Sequence, residues 1–80
     1  LGPNKRLKPA FVAVPIDISY ELPITILAST VSLTPGTVSA DISADNQWLY
    51  VHVLHLKDKE QLIALIKQRY ERPLMEIFQC

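Results

Sequence analysis

One cysteine, two glycines and no charge at all between Glu21 and Asp41 are the shortages of this sequence, and each removes a class of protein. A single thiol, Cys80, cannot close an internal disulfide, so nothing in the chain calls for an oxidising compartment. With Gly36 the only glycine beyond Gly2, there is no glycine-rich loop to cradle a phosphate. Eight basic residues cancel eight acidic ones. That balance leaves no net field to draw nucleic acid or an anionic bilayer, and no basic stripe accompanies Trp48 and Tyr50. The 19 uncharged residues from Leu22 to Ala40 approach the length of a membrane span, yet they carry seven hydroxyl side chains and the Pro35-Gly36 pair. A break there would leave backbone groups unpaired in lipid, so the stretch reads as part of a soluble fold.

What is present fits one small domain. A chain of 80 residues buries only roughly 60 to 65% of its unfolded surface, which makes for a marginal core. Half the residues are apolar and a fifth charged, the balance of a folded domain and not of a disordered one. The first residue is Leu1 and not methionine, which suggests a piece of a longer or processed protein. Residues 1–9, with two prolines, a glycine and the basic cluster Lys5, Arg6 and Lys8, have linker composition. Residues 10–80 are expected to form a single soluble α/β domain.

The centre of that domain is Thr34-Pro35-Gly36-Thr37. Pro35 presets φ for the second position of a type II turn, and Gly36 supplies the positive φ of the third. Before the turn, Ile24, Leu27, Ala28 and Val31 recur at helical spacing behind Pro23, placed at the first helical position, although the β-branched Ile24, Thr25, Ile26, Thr30 and Val31 argue against a helix. After it, Thr37–Ile42 alternates, with Val38, Ala40 and Ile42 inward. Phe11–Ser19 also alternates, and Pro15 places it at a sheet edge or with that position facing away from its neighbour. Ser43–Gln47 suits a hairpin loop leading into the central strand Trp48–Leu56, where Trp48, Tyr50, His52, Leu54 and Leu56 share one face and Leu49, Val51, Val53 and His55 the other. Asp58 caps a helix, with Gln61 three residues on, and Leu62, Leu65, Ile66 and Tyr70 form its buried stripe. Pro73 should end or kink that helix, after which Leu74, Ile77 and Phe78 resume an apolar spacing. The expected class is α+β: a small βαββα two-layer domain, a sheet of about three strands packed by two helices.

Chemistry is scarce. His52 and His55, three apart on a strand, point to opposite faces and cannot share one metal ion, and Cys80 is remote from both. Hydroxyls abound without a nucleophile elbow or a base to activate them. Asp17 is a lone carboxylate in apolar surroundings, but alternation puts it on the more polar face. The reading is of a non-enzyme with no catalytic, cofactor-binding or metal residues.

The run Leu33-Thr34-Pro35-Gly36-Thr37, the strand Val38–Ile42, Leu49-Tyr50-Val51-His52 and the spacing onward to Asp58 and Tyr70-Glu71 resemble the E subunit of the bacterial Mrp-type (Mnh or Pha) multisubunit Na+/H+ antiporters, from about Pro9 to Phe78. The resemblance implies an accessory, non-enzymatic subunit on the cytoplasmic side of the cell membrane. It implies missing N-terminal membrane helices, other antiporter subunits as partners, and Lys5, Arg6 and Lys8 near the membrane surface. Thr34, Pro35, Gly36, Thr37, Tyr50 and His52 are then structural-motif residues. Exposed sheet edges suggest self-association of the isolated chain. The alternative is a free soluble module binding a small ligand or peptide on the Trp48/Tyr50 face.

Overall fold

In a computed structural model that describes residues 8–80, the Thr37 N–H donates to the Thr34 carbonyl at 3.1 Å and Gly36 takes φ +89°. A side chain at position 36 would meet nothing within 4 Å, so glycine is required there by the backbone angle and not by crowding. The turn separates helix α1 (Glu21–Ser32) from strand β2 (Thr37–Ile42). The other elements are strands β1 (Ala10–Pro15) and β3 (Trp48–Val53), helix α2 (Lys59–Ile66), a π-helical segment (Lys67–Glu71) and helix α3 (Arg72–Phe78). Both β1 and β2 pair antiparallel with β3, giving the order β1-β3-β2 and the expected α+β, βαββα architecture.

β1 is an edge strand, as Pro15 requires. The Ile16 N–H donates to the Gln47 carbonyl at 2.9 Å. By the alternation of an antiparallel ladder the preceding nitrogen, Pro15, then faces away from β3, where its missing hydrogen costs nothing. The strand is shorter than its alternation suggests, ending at Pro15 and not at Ser19.

One face of the sheet is covered. Val12, Val14, Leu49, Val51 and Val53 turn toward the helices and meet Ile24, Leu27 and Val31 of α1, Ile66 of α2 and Ile18 of the β1–α1 loop, every one of them buried. Full burial of such side chains contributes roughly 1.5–3 kcal/mol each. This inward stripe outweighs the β-branched content of α1. Its threonines also adapt: Thr25 and Thr30 hydroxyls donate to the carbonyls of Glu21 and Ile26, one turn back. The helix begins at Glu21, so Pro23 is its third residue and not its first; the first intrahelical donor is Ile24 N–H, to Tyr20, and Pro23 occupies a position that needs no donor.

Val38 is a correction. Although it was expected inward with Ala40 and Ile42, it is 55% exposed, because a bulge between Thr37 and Ser39 shifts the register against Val53 and His52. β3 likewise stops at Val53 and not at Leu56: the Leu54 N–H bonds to the Gly36 carbonyl and the Leu56 N–H to the Lys8 carbonyl, so Leu54, His55 and Leu56 leave the strand's faces. The Ser43–Gln47 loop is a tight hairpin connection. Asp45 accepts from the Ser43 hydroxyl at 2.6 Å and the Gln47 N–H at 3.1 Å, bonds that hold its carboxyl below the ordinary aspartate value.

Asp58 caps α2, its Oδ1 accepting from the Glu60 and Gln61 N–H groups at 2.9 and 3.2 Å. Two expected core residues are exposed, Leu65 (39%) and Ile77 (72%). Ile63 and Met75 pack inward instead. At roughly 100° per residue, an arc that takes in Leu62, Ile63 and Ile66 leaves Leu65 on its flank. Nor does Pro73 break the rod. The Arg72 N–H reaches back five residues to the Lys67 carbonyl, and this wider turn, placed just ahead of the proline, accommodates a ring that would crowd a regular helix.

Candidate functional site

Among the described residues no helix lies over the second face of the sheet. Phe11, Ala13 and Pro15 of β1 stand opposite His52, Tyr50 and Trp48 of β3, and Ser39 and Asp41 of β2 flank His52 and Tyr50 on the other side. Phe11 is 74% exposed, Tyr50 44% and Trp48 41%. The Phe11 and His52 rings stack at 4.2 Å with 20° between their planes. Asp41 is the one charged side chain among these residues, so the face is broad, aromatic and nearly neutral. Sequence reasoning placed Trp48, Tyr50 and His52 together correctly, because strict alternation in β3 needs no tertiary information.

A second arrangement could not be read from the sequence. The side chain of Glu71 is 3% exposed, and its Oε2 accepts the N–H groups of Asp17 at 2.6 Å and Ile18 at 3.3 Å. Its other oxygen takes the Lys67 ammonium at 2.7 Å, which also reaches the Pro15 carbonyl at 2.7 Å and the Asp17 carboxylate at 2.9 Å. One lysine and one glutamate of the π segment therefore fasten the β1–α1 loop to the helical rod. Burial pushes the Lys67 ammonium down, but hydrogen bonds and charge from Glu71 and Asp17 outweigh it and raise the group above the ordinary lysine value. Asp17 is thereby part of an ion pair. The available signal was the Lys67/Glu71 spacing of four, which in a helix more often marks a surface pair.

The chain matches the family model described as "Na+/H+ ion antiporter subunit" over residues 1–77. It belongs to that family, MNHE. It is 39% identical over 77 residues to the E subunit of the Na(+)/H(+) antiporter of Alkalihalophilus pseudofirmus and 32% identical over 77 residues to that of Bacillus subtilis. Both alignments cover 96% of this chain and 49% of the relative, so the chain spans about half the length of these relatives. A solved structure, the Mrp complex from Dietzia sp. DQ12-45-1b, contains a chain similar to it at a TM-score of 0.68 and 29% identity, covering 92% of this chain and 70% of that one.

Within this MNHE chain the expected motif residues do not form a single site. Thr34, Pro35, Gly36 and Thr37 line a groove of about 510 Å³ with Leu56, Leu62 and Leu65 on the helix side of the sheet, whereas Tyr50 and His52 lie on the bare face. His52 and His55 are likewise apart, the first stacked on Phe11 and the second bonded to the main chain of Lys8. Lys8 is exposed beside β1; Lys5 and Arg6 lie outside the described residues. Among the described residues no three His, Cys, Asp or Glu side chains converge in a way that could hold a metal ion.

Removing the Glu71 carboxylate strands two backbone donors and deprives Lys67 of its buried partner. Glu71→Ala is expected to destabilise the fold by about 3 kcal/mol, measured by urea denaturation. Because the Lys67 pKa is raised above 10.5, its contribution is complete below that value and disappears as pH climbs through the higher folded value. Urea midpoints should therefore fall above pH 10.5 in the wild-type chain and lack this alkaline limb in Lys67→Met.

Proposed function

We propose that this chain is the cytoplasmic domain of an accessory E subunit in a multisubunit Na+/H+ antiporter, and that it serves assembly and stability of the complex without catalysing a reaction. Family membership across residues 1–77 carries the reading. Its relatives are named as antiporter subunits, and the similar chain from Dietzia belongs to an Mrp complex. In this reading residues 1–9 are a basic juxtamembrane linker, with Lys5, Arg6 and Lys8 at the cytoplasmic surface of the cell membrane. Residues 10–80 are a single soluble domain attached through membrane helices that precede it. No helix among the described residues is long and apolar enough to cross a membrane. In this reading transport itself belongs to other subunits of the assembly.

The bare sheet face is the surface we assign to partner subunits. Aromatic side chains are enriched where proteins meet, charged ones are depleted there, and Phe11, Trp48 and Tyr50 meet both conditions on one flat face. A free ligand-binding module is less well supported. Small molecules are held in concavities, and the groove of about 510 Å³ and the cleft of about 240 Å³ are lined by other residues. Edge pairing is also disfavoured, since β1 carries Pro15 and β2 a bulge, two devices that blunt a sheet edge.

Capture of the full-length subunit from detergent-solubilised membranes should bring large antiporter subunits with it, and Tyr50→Glu combined with Trp48→Glu should lose them while the chain stays folded. An unaccompanied wild-type protein would sink the assembly reading. The same face should make the isolated chain self-associate. Its size-exclusion elution should shift with concentration in the wild type and not in the double variant; a wild-type chain that stays monomeric at high concentration ends this part of the proposal.

A further inference from the structure

His55 leaves the end of β3 and is solvent-exposed, yet it is not idle. Its Nδ1 accepts the Lys8 backbone N–H at 3.0 Å, and the N–H of the next residue, Leu56, donates to the Lys8 carbonyl at 2.8 Å. Both polar groups of one main-chain residue are thus held by His55, 47 positions further along, and its neighbour Leu56. An imidazole nitrogen accepts a hydrogen bond only while it carries no proton, so this contact demands a neutral ring with its hydrogen on Nε2. We propose that His55 is a pH-sensitive clasp on the main chain where it enters β1.

Protonation would set an N–H against an N–H across 3.0 Å. The ring would have to turn away or Lys8 would have to let go. The ionisable groups around it do little to prevent this. Lys57 and Asp58 line the same groove, Gln61 is the polar residue that α2 adds, and the Thr34–Thr37 turn adds no ionisable group. Lys8 brings a further ammonium from the arm. Two lysines oppose a new positive charge, and the Oδ1 of the one carboxylate, Asp58, is already committed to the Glu60 and Gln61 N–H groups. Acidification therefore takes the main chain at Lys8 from two anchors to one, leaving the Leu56 bond as a pivot. The clasp stands on this geometry alone; a role in relaying pH to a membrane-bound assembly rests on the antiporter reading.

The test is NMR on the 15N-labelled 80-residue chain, following the histidine ring nitrogens and the Lys8 amide across roughly pH 5 to 8. The Lys8 amide should titrate with the midpoint of His55, and its exchange protection, corrected for intrinsic rate, should drop about 2- to 10-fold on protonation. His55→Asn, whose side-chain oxygen stands near the place of Nδ1, should give a protected and pH-independent Lys8 amide. His55→Phe should give an unprotected one at every pH. A wild-type Lys8 amide that ignores His55, or that follows His52, overturns the clasp. A flat Lys8 amide in a subunit that still captures antiporter partners defeats the clasp alone, and a titrating one without capture defeats the assembly reading alone.

Discussion

The buried carboxylate of Glu71 is the constraint on which the arrangement of layers depends. A charge removed from water is costly unless its oxygens find donors, and here two backbone N–H groups serve one oxygen and an ammonium the other. The donors come from the loop between β1 and α1, the acceptor from the far end of the chain. Across a separation of 54 residues, the contact ties the loop to the rod. That loop carries Ile18 into the core and sets the start of α1, so the position of α1 over the sheet follows from a polar contact and not only from apolar packing.

The contact is made from the π segment. Pro73 forbids a regular helical turn around Arg69, and the chain answers by widening the turn just before it instead of breaking. The widened turn is the one that contains both Lys67 and Glu71. Backbone irregularity and buried charge therefore coincide, as they often do where a helix has acquired a task beyond packing. Because α1 and the rod both occupy one side of the sheet, the other side is left with its aromatic residues facing out. Among the described residues no element covers that face, and an exposed aromatic sheet face is a surface suited to a partner.

What could be read from the sequence is what depends on neighbours along the chain. The Thr34–Thr37 turn, the Asp58 cap, the alternation of Leu49 to Val53 and the stripe Ile24, Leu27, Val31 are each fixed by local stereochemistry or by a period of two or 3.6 residues. What could not be read depends on registers and approaches set elsewhere. Val38 points outward because of a bulge that only its pairing with β3 creates. Leu65 and Ile77 are exposed because the rod settles with Ile63 and Met75 inward. Glu71 enters the sequence reading only as part of the Tyr70-Glu71 match, since nothing nearby in sequence announces that the Asp17 and Ile18 amides will arrive there. The family resemblance was legible in short motifs, yet those motifs are divided between the groove and the bare face, so recognising them did not locate a site.

β1 is held in an unusual way. It is an edge strand with a proline at its end, and among the described residues its ladder to β3 is its only regular hydrogen bonding. Both of its ends are closed by ionisable side chains from distant parts of the chain: His55 at Lys8, and Lys67 with Glu71 at Pro15 to Ile18. Apolar packing of Val12 and Val14 fixes its middle. A strand so fastened is stable in the interior of the sheet and conditional at its ends, because protonation changes what an imidazole or a lysine can bind, whereas the valines are indifferent to it. The two ends respond in opposite directions of pH, the imidazole contact failing on acidification and the lysine contact failing under strong alkali. Between those limits β1 is secured at three points, its two ends and its apolar middle.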